Sequence, residues 1–266
     1  MVNRQDIQAT CDDIVREFAP LQVILFGSYG YGTPTEDSDV DLLVVMAIPE
    51  SETRRQASEI RRRIPHRFSM DLLVRSPEEI AYRLSYNDWF LREITEKGEV
   101  LYGTADPLQR ALVRYSVTCP DTLEKEKDAM NPLTVEWIQK AEGDHTIMHQ
   151  NYHSSSPIHD AICFHAQQCI EKYLKAWLQE ANIPFTRTHD LERLLNLILP
   201  TFPDWEVWQA DFSTISEHAV DFRYPGKAAT ATDAQHAVKT CDQVRQSVRG
   251  QLGLPPDSVS DNYSKV

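Results

Sequence analysis

The N-terminal part of this chain is built around two apolar runs, Leu25-Phe26-Gly27-Ser28-Tyr29-Gly30-Tyr31-Gly32 and Ser38-Asp39-Val40-Asp41-Leu42-Leu43-Val44-Val45. Each run predicts a buried strand, and the first strand stops at a Gly-Ser pair. Because strand side chains alternate between faces, Asp39 and Asp41 are expected to point the same way at the start of the second strand. Two carboxylates this close repel each other unless a cation lies between them. The pattern therefore predicts a cation site.

The residues around this pair favour a nucleotide as the cation's partner. Carboxylate oxygens suit a magnesium ion that also carries phosphates. Gly27 permits close approach of the backbone and Ser28 offers a hydroxyl, which together suit a phosphate group. A third acid, Asp71, lies in another strand-like run, where a carboxylate is costly without a partner or a function. The alternative is an aspartate-rich turn with solvated carboxylates, which leaves Asp71 unexplained.

The order and spacing of these residues resemble the nucleotidyltransferase superfamily typified by DNA polymerase beta, and above all its minimal nucleotidyltransferase branch. That branch carries Gly-Ser, then a spacer, then Asp-x-Asp; here ten residues separate Ser28 from Asp39. The resemblance implies that Asp39, Asp41 and Asp71 are the catalytic residues and the ligands of two Mg²⁺ ions. It also implies that Gly27 and Ser28 bind ATP or another nucleoside triphosphate.

This chain departs from the family pattern at one place. The family often has a basic residue shortly after Gly-Ser, whereas this sequence has Tyr29 and Tyr31. The resemblance therefore does not extend to a charge contact between this turn and the triphosphate.

Composition places the chain among globular proteins. Its 266 residues are 41% hydrophobic and 25% charged, and no apolar run reaches membrane-spanning length or forms a signal-peptide core. The five cysteines are scattered without a Cys-x-x-Cys pair, which predicts reduced thiols and a cytoplasmic location.

The charge balance argues against a large nucleic-acid surface. The net charge is −13, with 12 basic and 18 acidic residues up to residue 105 and 15 and 22 after it. Neither half is basic, so RNA is an unlikely partner. An arginine-rich segment, residues 54–67, is interpreted as a solvated helix face in preference to a nucleic-acid contact.

Hydrophobic periodicity predicts two domains. Strands alternating with helices indicate an α/β (α+β) domain over residues 1–105, beginning with a helix over 3–18. Residues 106–132, punctuated by prolines, predict a connecting segment with one short helix near 107–116. Residues 133–250 predict an all-α helical bundle centred on a helix from Pro157 to about Ala181, and residues 251–266 a disordered tail.

The second domain resembles a HEPN domain, a helical module that often accompanies minimal nucleotidyltransferases. The resemblance lies in residues 164–176 (FHAQQCIEKYLKA), in Arg187-Thr188-His189-Asp190-Leu191 and in Arg223-Tyr224-Pro225. It implies a fused version of a pair often found as separate toxin and antitoxin proteins. HEPN bundles commonly pair, so the resemblance also implies a homodimer.

Many HEPN proteins are ribonucleases that use an arginine followed four to six residues later by a histidine. Arg223 has no such histidine, so we expect no ribonuclease activity. We expect instead that the bundle helps to shape the nucleotide cleft. Its candidate substrate contacts are Glu171, Lys175, His189, Asp190 and Arg223, with helix caps and intrahelical pairs as an equally weighted alternative.

Three histidines, His145, His149 and His153, recur at every fourth position. This spacing suits metal ligands, but no cysteine or carboxylate stands nearby at ligand spacing. We therefore interpret the three as a solvated helix face.

These patterns together predict a metal-dependent nucleotidyltransferase that moves an adenylyl group from ATP to an acceptor hydroxyl and releases pyrophosphate. A small molecule or a protein hydroxyl is the expected acceptor, and RNA is the least favoured one. Two alternatives remain: a non-catalytic nucleotide-binding regulator of a HEPN partner and, less favoured, a HEPN ribonuclease. No membrane association is expected.

Overall fold

The computed structural model of the protein describes residues 1–36, 38–103, 111, 129–221 and 227–255. The chain divides into two compact units, Met1–Ala129 and Met130–Val266. The first contains all the strands of the described residues and the second contains helices, so an α/β domain precedes an all-α domain, as the sequence predicts. Most of the predicted helix at 107–116 lies outside the described residues, as do residues 256–266 of the predicted tail.

The first unit is organised by a four-stranded sheet. Its strands are β1 (Gln22–Phe26), β2 (Val40–Val45), β3 (Met70–Arg75) and β4 (Glu99–Gly103), in the order β3-β2-β1-β4. Strand β1 runs antiparallel to both β2 and β4, whereas β2 and β3 are parallel. A parallel pair needs a crossover connection, and the helix between β2 and β3 provides it.

Five helices accompany the sheet among the described residues of this unit. They are α1 (Arg4–Phe18), α2 (Gly27–Tyr31), α3 (Thr53–Arg63), α4 (Pro77–Ser85) and α5 (Trp89–Lys97). A short 3₁₀ turn, Glu50–Glu52, leads into α3. The amphipathic helix predicted for residues 3–18 is confirmed as α1, and Asn3 caps it by accepting a hydrogen bond from Gln5 N–H.

Both faces of the sheet are buried, which explains why β1 is apolar throughout. One face packs against α1 and α3, and its buried residues include Ile7, Ile60, Leu25, Leu42 and Val44. The other face packs against α4 and α5, and its buried residues are Ile24, Phe26, Leu43, Val45, Ile80, Leu91 and Ile94. Burial on both faces produces continuous apolar runs in place of alternation.

The helical pattern after β3 forms two helices, although the sequence suggested one uninterrupted helix through Ile94. Asn87 adopts a left-handed conformation with φ 58°, which breaks the helix. Asp88 then caps α5 by accepting a hydrogen bond of 2.9 Å from Leu91 N–H, and its other oxygen lies 2.6 Å from Arg83 Nε. Asparagine tolerates this conformation better than most residues, and aspartate is a strong helix N-cap.

The second unit is a helical bundle. Its helices are α6 (Pro132–Tyr152), α7 (His159–Glu180), α8 (Leu191–Ile198), α9 (Gln209–Asp221) and α10 (Ala231–Gln251), with a 3₁₀ segment at Pro203–Trp208. The predicted central helix is confirmed as α7, which is buried around most of its circumference between α6, α8, α9 and α10. In the part of the chain that the structure describes, no helix combines the length and apolarity needed to cross a membrane.

Candidate active site

Strand register brings two of the three predicted acids side by side. In the parallel ladder between β2 and β3, Asp41 lies opposite Asp71, and in the antiparallel ladder between β1 and β2, Phe26 lies opposite Asp41. Adjacent strands are about 4.8 Å apart, and residues directly opposite each other project to the same face. The two carboxylates are therefore neighbours. Asp39, two residues before Asp41, is exposed at the entrance to β2.

The acids continue a row of apolar residues on the face that α4 and α5 cover. Leu43 lies opposite Leu73 on this face, and the next pair along the same row is Asp41 and Asp71. Leu43 is fully buried, Asp41 is half-buried and Asp71 is exposed. The row thus passes from the hydrophobic core to solvent at the end of the sheet where the acids lie, which leaves their carboxylates accessible to a ligand.

Gly27 lies directly against the carboxyl group of Asp41. A Cβ atom at residue 27 would lie 2.9 Å from Asp41 Cγ, closer than real Cβ atoms approach their neighbours. Gly27 also has φ +64°, a conformation that L-residues rarely adopt. Both the close approach and the backbone conformation therefore require glycine at this position.

Ser28 lies in the first turn of α2, immediately after β1. The first amide groups of a helix have no acceptor within the helix, so they are available to an external anion. The carbonyl of Ser28 accepts a hydrogen bond of 2.9 Å from Thr33 N–H, which closes the turn. Ser38 then fixes the approach to Asp39, because its hydroxyl accepts a hydrogen bond of 2.8 Å from Thr35 N–H.

Tyr31 is a residue of this site that the sequence motif did not assign. Its hydroxyl forms a hydrogen bond with the backbone of Gly27 and lies near Glu93 and Asp41. Burial, together with these two carboxylates, raises the pKa of Tyr31 to about 12, although the Gly27 backbone opposes the shift. Tyr31 is therefore protonated at neutral pH. The i, i+4 spacing from Gly27 was the available signal, since residues so spaced lie on one side of a helix.

Three of the candidate substrate contacts in the second unit form a buried polar cluster. Lys175 Nζ lies 2.8 Å from Glu171 Oε1 and donates a second hydrogen bond of 2.8 Å to Thr188 O, and His189 Nδ1 lies 3.0 Å from Glu171 Oε2. Burial alone would raise the pKa of Glu171, but His189 and Lys175 outweigh it and lower the pKa to about 2. The cluster fastens the segment before α8 to α7.

Asp190 is the N-cap of α8 and accepts a hydrogen bond of 3.0 Å from Arg193 N–H. Arg223 lies outside the described residues. These contacts match the alternative interpretation, in which the residues cap and pair helices. Their roles as substrate contacts stay predictions.

Two family models match the chain. One, described as a nucleotidyltransferase domain, matches residues 10–102, and the other, described as a HEPN domain, matches residues 134–251. The chain therefore consists of a nucleotidyltransferase domain followed by a HEPN domain. This confirms both resemblances that the motifs indicated.

Solved structures similar to this chain include HEPN and toxin–antitoxin proteins. An archaeal HEPN homologue is 24% identical over 45% of this chain and 97% of its own, with a TM-score of 0.38. A mutant of the toxin–antitoxin pair MntA–HpeT is 19% identical over 48% and 94%, with a TM-score of 0.29. A toxin–antitoxin with AMP-PNP is 20% identical over 46% and 93%, with a TM-score of 0.29. No curated protein matches the chain.

Proposed function

We propose that the N-terminal domain transfers a nucleotidyl group from ATP, or another nucleoside triphosphate, to an acceptor hydroxyl and releases pyrophosphate. The observation that carries the proposal is the alignment of Asp41 with Asp71 beside Gly27, at the exposed end of the sheet. A solvated aspartate turn does not account for this alignment, because Asp71 comes from a strand distant in sequence.

The residues of the site fit a divalent cation. The donor set consists of carboxylate oxygens from Asp39, Asp41 and Asp71, and hard cations such as Mg²⁺ prefer oxygen ligands. Two of these acids lie opposite each other across a ladder, where their like charges favour a bridging cation. When bound, Mg²⁺ would offset the charge of the phosphates and of the oxygens whose charge grows during transfer.

The remaining residues of the site have defined tasks in this scheme. Ser28 and the first amides of α2 bind the β- and γ-phosphates of the triphosphate, because they present donors to an anion. Asp71, outside its role as a cation ligand, is placed to accept the proton of the acceptor hydroxyl. The acceptor oxygen forms a bond to the α-phosphorus as the bond to the β-phosphate breaks, and pyrophosphate leaves. Positioning of the reactants supplies much of the rate.

The acceptor follows from charge. A chain with net charge −13 favours cationic small molecules and protein hydroxyls over a polyanion such as RNA.

The test uses the full chain, Mg²⁺ and each of the four α-labelled nucleoside triphosphates in the presence of cell extract. Label is expected on a small molecule or a protein, and Asp41→Asn should abolish its transfer while the circular dichroism spectrum is retained. Glu96→Gln is the matched control, because Glu96 is an exposed carboxylate on α5 outside the site. Nucleotide binding by calorimetry without transfer to any acceptor would contradict the enzymatic proposal and favour a nucleotide-binding regulator.

A further inference from the structure

Two histidines and an aspartate from opposite ends of the helical unit meet in one cluster. His145 and His149 lie one turn apart on α6, and Asp242 lies on α10. The Nε2 atoms of His145 and His149 lie 2.8 Å and 2.9 Å from the same oxygen, Asp242 Oδ1. One ligand atom from each of the three residues lies within 4.8 Å of the other two.

The solvated helix face predicted for these histidines is therefore wrong for His145 and His149. Their side chains are only 18% and 25% exposed, and each has a carboxylate partner. That carboxylate is 97 residues from His145 along the chain, so no local spacing could reveal it. His153, one turn further along α6, stacks on the ring of His149 with centroids 5.7 Å apart.

We propose that His145, His149 and Asp242 bind one Zn²⁺ ion that fastens α6 to α10. Histidines at i and i+4 on one helix face form a frequent pair of zinc ligands, and a carboxylate completes a three-residue set with a position left for water. The proposal does not depend on the nucleotidyltransferase activity.

The distances suit a zinc ion. Zinc bonds to nitrogen and oxygen are about 2.0–2.2 Å long, which places tetrahedral ligand atoms about 3.3–3.5 Å apart. The present separations of 2.8 Å and 2.9 Å from Asp242 Oδ1 need to open by only a few tenths of an ångström. Side-chain rotation of Asp242, which is 43% exposed, provides this movement and an entry path for the ion.

The charges of the cluster also favour a cation. Burial alone would raise the pKa of Asp242, but hydrogen bonds from the two histidines outweigh it and hold the pKa well below its ordinary value. The carboxylate is thus ionised. The nearest cationic side chain along α10, Arg245, is already bonded to Glu142 through Nη2 at 2.9 Å, so its charge is offset.

The ligand set distinguishes this site from the acids of the first unit. Two imidazole nitrogens with one carboxylate favour zinc and the other late transition metals, whereas magnesium prefers oxygen ligands and retains water. Zinc that binds only the folded bundle would stabilise it by mass action.

The test is calorimetric titration of the untagged, chelator-treated full chain with ZnCl₂, together with its thermal unfolding. We expect one ion per chain at this site and a higher Tm with zinc. His149→Gln and Asp242→Asn should each weaken zinc binding at least tenfold and remove the zinc-dependent rise in Tm. Mg²⁺ should neither bind there nor reproduce the rise.

The matched control is His236→Gln. His236 Nε2 lies 3.0 Å from Asp211 Oδ1, so this pair offers one histidine in place of two, and its loss should leave zinc binding unchanged. Asp41→Asn separates zinc bound by the acids of the first unit. Undetectable zinc binding would overturn the proposal, and so would binding that both cluster variants retain or that only Asp41→Asn abolishes. Because Asp242→Asn preserves shape, it keeps the test decisive if His149→Gln disturbs folding.

Discussion

The carboxyl group of Asp41 lies so close to Gly27 that a single added carbon would displace it: a Cβ at residue 27 would lie 2.9 Å from Asp41 Cγ. The phosphate-binding turn and the acid strand of the proposed site are thus fitted to each other at one pair of residues. This contact gives the sharpest mutational test of the site.

Gly27→Ala should abolish nucleotidyl transfer because the new methyl group moves the Asp41 carboxylate. The left-handed backbone, φ +64°, should also cost about 1–3 kcal/mol of unfolding free energy. Gly32→Ala is the matched control: Gly32 has φ +83°, but its added Cβ would meet no atom within 4 Å. Both variants should lose stability in urea denaturation, and only Gly27→Ala should lose label transfer. Equal activity of the two variants would show that the contact with Asp41 has no part in the reaction.

Asp71→Asn should reduce label transfer by at least about 100-fold, the range expected when a proton acceptor is removed. Its unfolding free energy should change by no more than about 0.5 kcal/mol, because the residue is exposed. Asp88→Ala should behave in the opposite way: it removes the cap of α5 and should cost about 1–2 kcal/mol while transfer is retained. A stable, fully active Asp71→Asn enzyme would refute the role given to this acid.

Tyr31→Phe should lower transfer by about tenfold and leave unfolding nearly unchanged, since one net hydrogen bond contributes only about 1 kcal/mol. The hydroxyl holds the Gly27 backbone beside Asp41, so its loss loosens the phosphate-binding turn. Because the pKa of Tyr31 is raised to about 12, ionisation of this group should not shape the rate profile between pH 6 and pH 10. Tyr29→Phe is the comparison, because the Tyr29 hydroxyl instead accepts a hydrogen bond of 2.8 Å from Val2 N–H. Unchanged activity of Tyr31→Phe would remove this tyrosine from the site.

Acid should weaken the helical unit through Glu171. The pKa of its carboxyl group is lowered from 4.5 to about 2 in the folded protein. Its stabilising contribution is therefore complete above pH 4.5 and lost as the pH falls through 2. Unfolding free energies measured at several pH values across this window should show the loss in the wild type and less of it in Glu171→Gln.

At neutral pH, Glu171→Gln should cost about 3–5 kcal/mol, because Lys175 remains buried without its anionic partner. Glu206→Gln, which removes an exposed carboxylate, should have almost no effect. If Glu171→Gln is as stable as the wild type at neutral pH, the buried pair makes no net contribution to the fold.

Local patterns were sufficient to predict the strands, the two-domain order and the acids that the sheet brings together. Alternation along one strand placed Asp39 and Asp41, and the apolar run around Asp71 predicted a strand. Features that depend on contacts between distant segments were beyond such patterns. The meeting of Asp242 with His145 and His149 requires α10 to pack on α6, which no spacing along the chain encodes. The break between α4 and α5 had a local signal, Asn87-Asp88, which the helical periodicity around it obscured.

The pairing of Asp41 with Asp71 also ties cation binding to strand alignment. If β3 slid along β2 by a single position, Asp71 would turn to the face that α1 and α3 cover, and the acid pair would be lost. A cation held between the two carboxylates therefore favours one alignment of the ladder over its nearest competitors. Occupancy of the site would then act as a proofreading step in assembly of the sheet.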